Sequence, residues 1–296
     1  MTKWERHDLL LGLAFISPWI LGFLIFCVFP VGASLYYSFC DYDVLANSPV
    51  WIGALNYKDM ATDNVFWQSL YNTLYFAALS LPVSLIFSIL IAVLLNNKVV
   101  GRPAFRTFFF LPSLVPAVAI AMIWLWILNG SYGLLNHALS VIGIKGPNWL
   151  NDQAWVKPAL VLTSVWGCGG SVVIYLAALQ DVPRELYESA DIDGANAWHR
   201  LWHITLPMIS PVIYFNLVMG IIGSLQVFGG PFIMFGSSGG PNRSALFYAV
   251  YLYENAFTYN QMGYASAMAW VLFILILFLT WLATRTTKKH VYYAGE

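Results

Sequence analysis

Charge is what this sequence has least of. Of its 296 residues only 9% are Asp, Glu, Lys or Arg, while 59% are hydrophobic and 17% aromatic. Soluble domains carry about 25% charged residues, so the chain cannot coat a water-facing surface. That excludes a soluble globular protein, and with it the disordered, collagen-like and disulfide-scaffold classes. An excess of either sign is also missing, with 14 basic and 14 acidic residues. No polyanion-binding surface shows in that balance, and nucleic acid is not an expected partner. The three cysteines, Cys27, Cys40 and Cys168, have neither paired nor metal-type spacing. There is no G-x-x-x-x-G-K-[ST] loop, no His-Glu-x-x-His and no Cys-x-x-Cys. No catalytic residues, metal ligands or bound cofactor are therefore expected. His199 and His203 stand four apart and could share a metal, but no acid has suitable spacing, and they are read as interfacial histidines. Asn129-Gly130-Ser131 and Asn242-Arg243-Ser244 match glycosylation acceptors, a tripeptide common by chance.

Long charge-free runs are what the sequence has instead. Six of them, at 9–40, 64–97, 107–144, 158–180, 201–242 and 255–284, are each at least 23 residues long. About 20 residues cross the hydrocarbon core as a helix. The polar and Gly-rich parts of the two longest runs, 129–146 and 236–242, read as loops. Helices are therefore expected near 10–38, 69–96, 104–128, 157–180, 207–235 and 264–284. No stretch shows the strict alternation of a β-barrel strand. The first run is too long for a signal-peptide core and lacks an Ala-x-Ala cleavage signal. It is expected as a retained helix in which Pro18 and Pro30 are tolerated. The expectation is an all-α integral membrane protein of six transmembrane helices, a single domain over 1–296.

Lys and Arg set the orientation of such a chain. Ten of them (Lys3, Arg6, Lys98, Arg102, Arg106, Arg184, Arg200, Arg285, Lys288 and Lys289) fall on one predicted side, and Lys58, Lys145, Lys157 and Arg243 on the other. Both termini are expected to be cytoplasmic. Trp51, Tyr57, Trp149 and Trp155 suit the opposite interface.

One polar segment interrupts the apolar chain. Residues 181–207 hold seven charged residues on the side expected to be cytoplasmic. Pro183 suits a helix start, Glu185 the first turn, and Gly194 a left-handed stop. A second short helix is expected from Ala197 to Ile204, with Trp198, Leu201 and Trp202 on an apolar face, before Pro207 opens the next span. The result is a helix–turn–helix shelf. Two readings stand: a solvated connector, or an element that docks into a groove of a partner.

The shelf resembles the cytoplasmic signature of ABC importer permeases. Glu188-Ser189-Ala190, Asp193-Gly194-Ala195 and Ile204-Thr205-Leu206-Pro207 follow its Glu-Ala-Ala, glycine six later, and Ile-x-Leu-Pro ten later, with Ser189 as a small departure. Leu179-Gln180-x-x-Pro183, Gly239-Gly240-Pro241, Gly263 to Met268, Asn72-Thr73-Leu74 and Leu95-Asn96-Asn97 are similar to the carbohydrate branch, the maltose, multiple-sugar and glycerol-phosphate permeases. The resemblance implies a type I importer in the bacterial or archaeal cytoplasmic (inner) membrane. It implies as partners a pair of ATP-binding subunits, which hold ATP and Mg, a second permease, and an extracellular or periplasmic solute-binding protein. The shelf would be the coupling helix to the ATP-binding subunit, with Glu188, Ser189, Ala190, Asp193, Gly194, Ala195, Leu206 and Pro207 as its residues.

No acidic or basic residue lies in the middle of a predicted span, which argues against ion or proton relays and for a neutral substrate. Spans four and five carry Ser164, Trp166, Ser171, Asn216, Ser224, Gln226 and Phe228, and Gly229-Gly230-Pro231 interrupts span five. Hydroxyls, amides and aromatic faces suit a sugar, and broken helices are where transporter cavities form. Taken singly, these residues equally serve close helix packing. A sugar importer permease is the leading expectation, with a self-contained secondary transporter or channel as the alternative. The second Gly-Gly-Pro inside span five departs from the sugar-permease pattern and weakens any transfer of site residues there.

Overall fold

The structure, a computed structural model, describes residues 3–45, 48–97 and 101–287. Lys98, Lys288 and Lys289, and the side chains of Lys3 and Arg6, lie outside the description. The chain is predominantly helical and divides into two compact units, Met1–Asp63 with Leu252–Leu272, and Asn64–Tyr251 with Phe273–Glu296.

In the first unit one long helical run contains Lys3–Phe23, a π-helical turn at Leu24–Val28, and Phe29–Tyr37. Its apolar side chains are exposed: Phe15 shows 84% of its surface and Phe26 78%. The run ends in a two-stranded antiparallel ladder, Cys40–Asp41 against Val50–Trp51, that the all-α expectation did not contain. The amide of Asn56, on the Leu55–Thr62 helix, donates to the carbonyls of Ser38 (3.0 Å) and Cys40 (2.9 Å) and ties this corner. Trp270 Nε1 donates to Ser34 Oγ at 3.2 Å, and Tyr264 OH to Asp63 Oδ2 at 2.9 Å.

The second unit is organised around the 33-residue Asn64–Asn96 helix. Its small polar residues Ser69, Thr73, Ser80 and Ser88 are buried, with Thr73 donating to a carbonyl one turn back. A hydroxyl satisfied within its own turn can face a neighbouring helix at no hydrogen-bonding cost. Against this helix pack Gln153–Trp166, Gly169–Gln180 and Ser210–Leu225. One core gathers Phe76, Val156, Leu160 and Phe247, and another Ala92, Tyr175, Leu176 and Ile209.

Several predicted helices are not straight. The 104–128 segment divides into Arg102–Leu114 and Ala117–Ile127, bent by 103°. Pro116 explains the bend, because a residue before proline avoids the helical region and Val115 is extended at φ −78°, ψ 134°. The 157–180 segment divides at Gly167–Cys168 with a bend of 47°. Span five breaks at 226–228, just ahead of the glycines, and resumes as Gly229–Phe235. Among the described residues four helices are long and apolar enough to cross a membrane, or up to six if each bent pair is one span. Three short helices, Leu55–Thr62, Leu134–Val141 and Tyr248–Tyr253, were not expected from the sequence.

Candidate functional site

The shelf forms where the sequence places it, all within the second unit. Arg184–Ile192 is a helix with Pro183 as its N-cap and Glu185 in its first turn. Gly194 ends it in the left-handed region at φ 73°. Its amide donates to Asp191 O (3.2 Å) and that of Ala195 to Ala190 O (2.9 Å), the paired bonds of a Schellman stop. A Cβ on Gly194 would meet nothing within 4 Å, so backbone conformation, not space, selects glycine. Asn196 then caps Ala197–Arg200 by accepting from His199 N at 2.9 Å. The expected 197–204 helix continues from there as a π-helical turn, Leu201–Thr205.

The two shelf helices are fastened to each other. Tyr187 OH and Thr205 Oγ1 lie 3.0 Å apart, and Arg200 pairs with Asp191. Leu206 and Pro207 belong to a short turn, Leu206–Met208, ahead of the Ser210–Leu225 helix. The outer face, by contrast, meets no core. Ile192 is 88% exposed, Trp198 67% and Trp202 61%, with Glu188, Ser189 and Asp193 also exposed. The His199 and His203 rings stack at 5.4 Å. Among the described residues no group of three His, Cys, Asp or Glu could hold a metal.

The proposed substrate-path residues are placed less cooperatively. Ser164 Oγ donates to Val161 O (2.7 Å), Ser224 Oγ to Ile221 O (3.2 Å) and the Asn216 amide to Val212 O (3.0 Å). Each bond lies within its own helix. Ser171 is half-buried on Gly169–Gln180. Trp166 lies edge-on to Trp124 and lines an aromatic crevice of about 240 Å³ with Phe87, Phe108 and Leu162. Gln226 and Phe228 sit in the break of span five, Gln226 exposed and Phe228 stacked on Phe232 at 5.0 Å.

A second polar cluster, at the opposite end of Asn64–Asn96 from the shelf, was not anticipated as a unit. Asn72 donates through its amide to the carbonyls of Arg243 (2.9 Å) and Leu246 (3.0 Å) and accepts from Lys157 Nζ (3.0 Å). Gln68 Nε2 donates to Asn242 O at 2.7 Å, and Tyr248 N to Thr73 Oγ1 at 2.8 Å. Asn242 and Arg243 hold positive φ of 50° and 56°, a strained pair whose carbonyls are held by Gln68 and Asn72. The loop after Gly239-Gly240-Pro241 is thus latched to the helix carrying Asn72-Thr73. Both stretches carried the resemblance to the carbohydrate branch, but nothing in their spacing, about 170 positions apart, says that they touch.

Comparison with known proteins agrees with this architecture. Residues 84–289 match the family described as binding-protein-dependent transport system inner membrane component. The probable ABC transporter permease protein YesP of Bacillus subtilis is 43% identical over 98% of this chain and 94% of its own length. The sulfoquinovosyl glycerol transport system permease protein SmoG of Agrobacterium fabrum is 32% identical over 94% and 91%. A crystal structure of the bacterial alginate ABC transporter, in complex with alginate pentasaccharide-bound periplasmic protein, contains a chain superposing with a TM-score of 0.82. That chain is 26% identical, and the match covers 97% of both chains. This chain belongs to the binding-protein-dependent transport system inner membrane component family, the permease subunits of ABC transporters.

Proposed function

We propose that this permease imports a sugar or oligosaccharide delivered by an external binding protein, with ATP and Mg held by a separate pair of ATP-binding subunits. The observation that carries the coupling role is the shelf. Two short helices are locked at a fixed angle by Gly194 and by the Tyr187–Thr205 and Arg200–Asp191 contacts, yet present Ile192, Trp198 and Trp202 to the outside. A rigid element with an unburied apolar and acidic face suits a groove on an ATP-binding subunit. In this reading Glu188, Ser189, Ala190, Asp193, Gly194, Ala195, Leu206 and Pro207 form the coupling element. The chain acts as one permease domain with six spans, each bent pair counting as one, and both termini in the cytoplasm. It pairs with a second permease to enclose the path.

Support for a sugar comes from relatives whose names specify sulfoquinovosyl glycerol and alginate, and from spans without charge at their middle. Span-four and span-five residues Ser164, Trp166, Ser171, Asn216, Ser224, Gln226 and Phe228 are proposed to face the path. The Ser164 and Ser224 hydroxyls and the Asn216 amide bond within their own helices, so each keeps spare lone pairs or N–H groups for a sugar. Nothing in the relatives favours a self-contained secondary transporter.

The test is reconstitution with the ATP-binding subunits, the second permease and the binding protein. Sugar-stimulated ATP hydrolysis by wild type, lost in Gly194→Asp, is the expected result. Solute movement by the chain alone without ATP would sink the reading.

A further inference from the structure

Two arginines of the second unit are left over by this account. Arg102 and Arg106 stand one turn apart on the Arg102–Phe110 helix, which packs against Asn64–Asn96 and Gly169–Gln180. The Nε atoms of both are buried and meet no hydrogen-bond partner. Arg102 reaches Asn96 Oδ1 at 3.3 Å through a terminal nitrogen. Among the described residues no carboxylate pairs with either. Both side chains are half-buried, so each guanidinium loses part of its water without gaining an anion, and that desolvation is not repaid.

Arg106 stands at the edge of a crevice of about 200 Å³ between these three helices. Its walls are apolar, with Leu95, Phe110, Val173 and Leu176, and its other polar side chain is Gln180. The crevice lies near the ends of Asn64–Asn96 and Gly169–Gln180 that lead to the shelf. A sugar would find too few hydrogen-bonding groups there. A free anion would leave the apolar slot open. One molecule class meets both halves, an apolar chain that ends in a phosphate.

We infer that this crevice is an acidic-phospholipid site, with an acyl chain between Leu95, Phe110 and Val173 and the headgroup phosphate held by Arg106, assisted by Gln180. Arginine suits the role because its planar fork takes a phosphate in two parallel bonds. The inference rests on the cytoplasmic placement of the shelf proposed above, since that leaflet carries anionic lipid and basic pockets between spans attract it. The bound lipid would also wedge the Arg102–Phe110 helix against Gly169–Gln180, the helix that leads directly into the shelf.

The experiment uses the assembled transporter, purified into nanodiscs of phosphatidylcholine mixed with phosphatidylglycerol, with retained lipid counted by native mass spectrometry. Phosphatidylglycerol is expected to be retained preferentially, and Arg106→Ala to lower its retention about tenfold, the loss of one charge-assisted contact. Val173→Trp, which fills the slot and keeps the charge, is expected to lower it equally, and decides the matter if Arg106→Ala fails to assemble. Equal retention of the two lipids, or retention unchanged in Val173→Trp, overturns the inference. So does full displacement of the retained phosphatidylglycerol by millimolar inorganic phosphate, which would mark a free-anion site. A cross-link from Val173→Cys to the second permease, with no lipid retained, would show that protein fills the crevice. Sugar-stimulated ATP hydrolysis is read in the same preparations, so absent lipid beside intact coupling removes this inference and leaves the proposed function standing.

Discussion

Lys157 Nζ donates a 3.0 Å hydrogen bond to Asn72 Oδ1 and lies 5.1 Å from the ring centroids of both Tyr71 and Tyr75. The contact spans 85 positions of chain. It binds the start of the Asn64–Asn96 helix to the start of the Gln153–Trp166 helix, with the loop around Arg243 and Leu246 as the third party. Asn72 is 2% exposed and uses both amide hydrogens and an oxygen lone pair.

Replacing Asn72 with leucine keeps much of its bulk but strips two buried carbonyls of their donors and Lys157 of its acceptor. A loss of about 2–4 kcal/mol is expected, the sum of such desolvation costs, seen as a lowered midpoint of thermal unfolding in detergent. Lys157→Met should cost less, because Asn72 keeps both carbonyls and only two exposed cation–π contacts and one bond are lost, about 1–2 kcal/mol. Equal or reversed effects would show that the cation, and not the amide, holds the loop.

Gly169 and Gly170 are neighbours with opposite expectations. A Cβ at Gly169 would collide with the backbone carbonyl of Phe109, whereas one at Gly170 meets nothing within 4 Å. Gly169→Ala should cost about 1–3 kcal/mol by forcing the two helices apart. Gly170→Ala, within the helix, should be neutral or gain up to about 1 kcal/mol. Paired thermal melts of the two variants check this.

Gly194→Ala is expected to cost folding only about 1–2 kcal/mol, the price of a left-handed alanine. Its effect on sugar-stimulated ATP hydrolysis should be far larger, because the angle between the shelf helices changes. Melting temperature and ATPase rate, measured on one preparation, separate the two.

Asp191→Asn should do little. The side chains of Arg200 and Asp191 are 32% and 60% exposed, and pairs of that kind contribute about 0–1 kcal/mol, less at high salt. Tyr187→Phe, which removes the hydroxyl bond to the buried Thr205, should cost more, about 1 kcal/mol at any salt concentration. Melts at low and high ionic strength distinguish them.

Much of the chain was legible because lipid leaves so few options. A charge-free run must be helical to satisfy its own backbone, so the positions of the Asn64–Asn96 and Met262–Thr287 helices followed from where the charges are not. Gly194 was legible for a different reason: a short amphipathic helix before it and a second one expected from Ala197 leave little but a left-handed stop. The 103° bend was harder. Pro112 and Pro116 are visible in the sequence, but whether a proline kinks a helix or ends it depends on what its neighbours can satisfy. The latch was out of reach altogether, since Gln68, Asn72 and Thr73 are ordinary helix residues until the 242–248 loop folds back on them. The pairing of Arg106 with an apolar slot was hidden in the same way, one element supplying the charge and Phe110, and two others the remaining walls.

The π-helical turn at Leu201–Thr205 sets the phase of the shelf. Such a turn accommodates one residue more than an α-helix would, and each residue advances an α-helix by about 100°. Deleting a single residue from 201–205 would therefore restore a regular helix without breaking the chain's path. It would also leave Trp198 at about its present angle to the helix that follows Pro207, because the wider turn absorbs the rotation of about 100° that an extra residue would otherwise add. Relatives that differ by one residue here would point the same tryptophan in the same direction. A gap of one in an alignment at this point would thus mark only a tighter winding of the turn, where inside a regular helix it would mark a change of partner geometry.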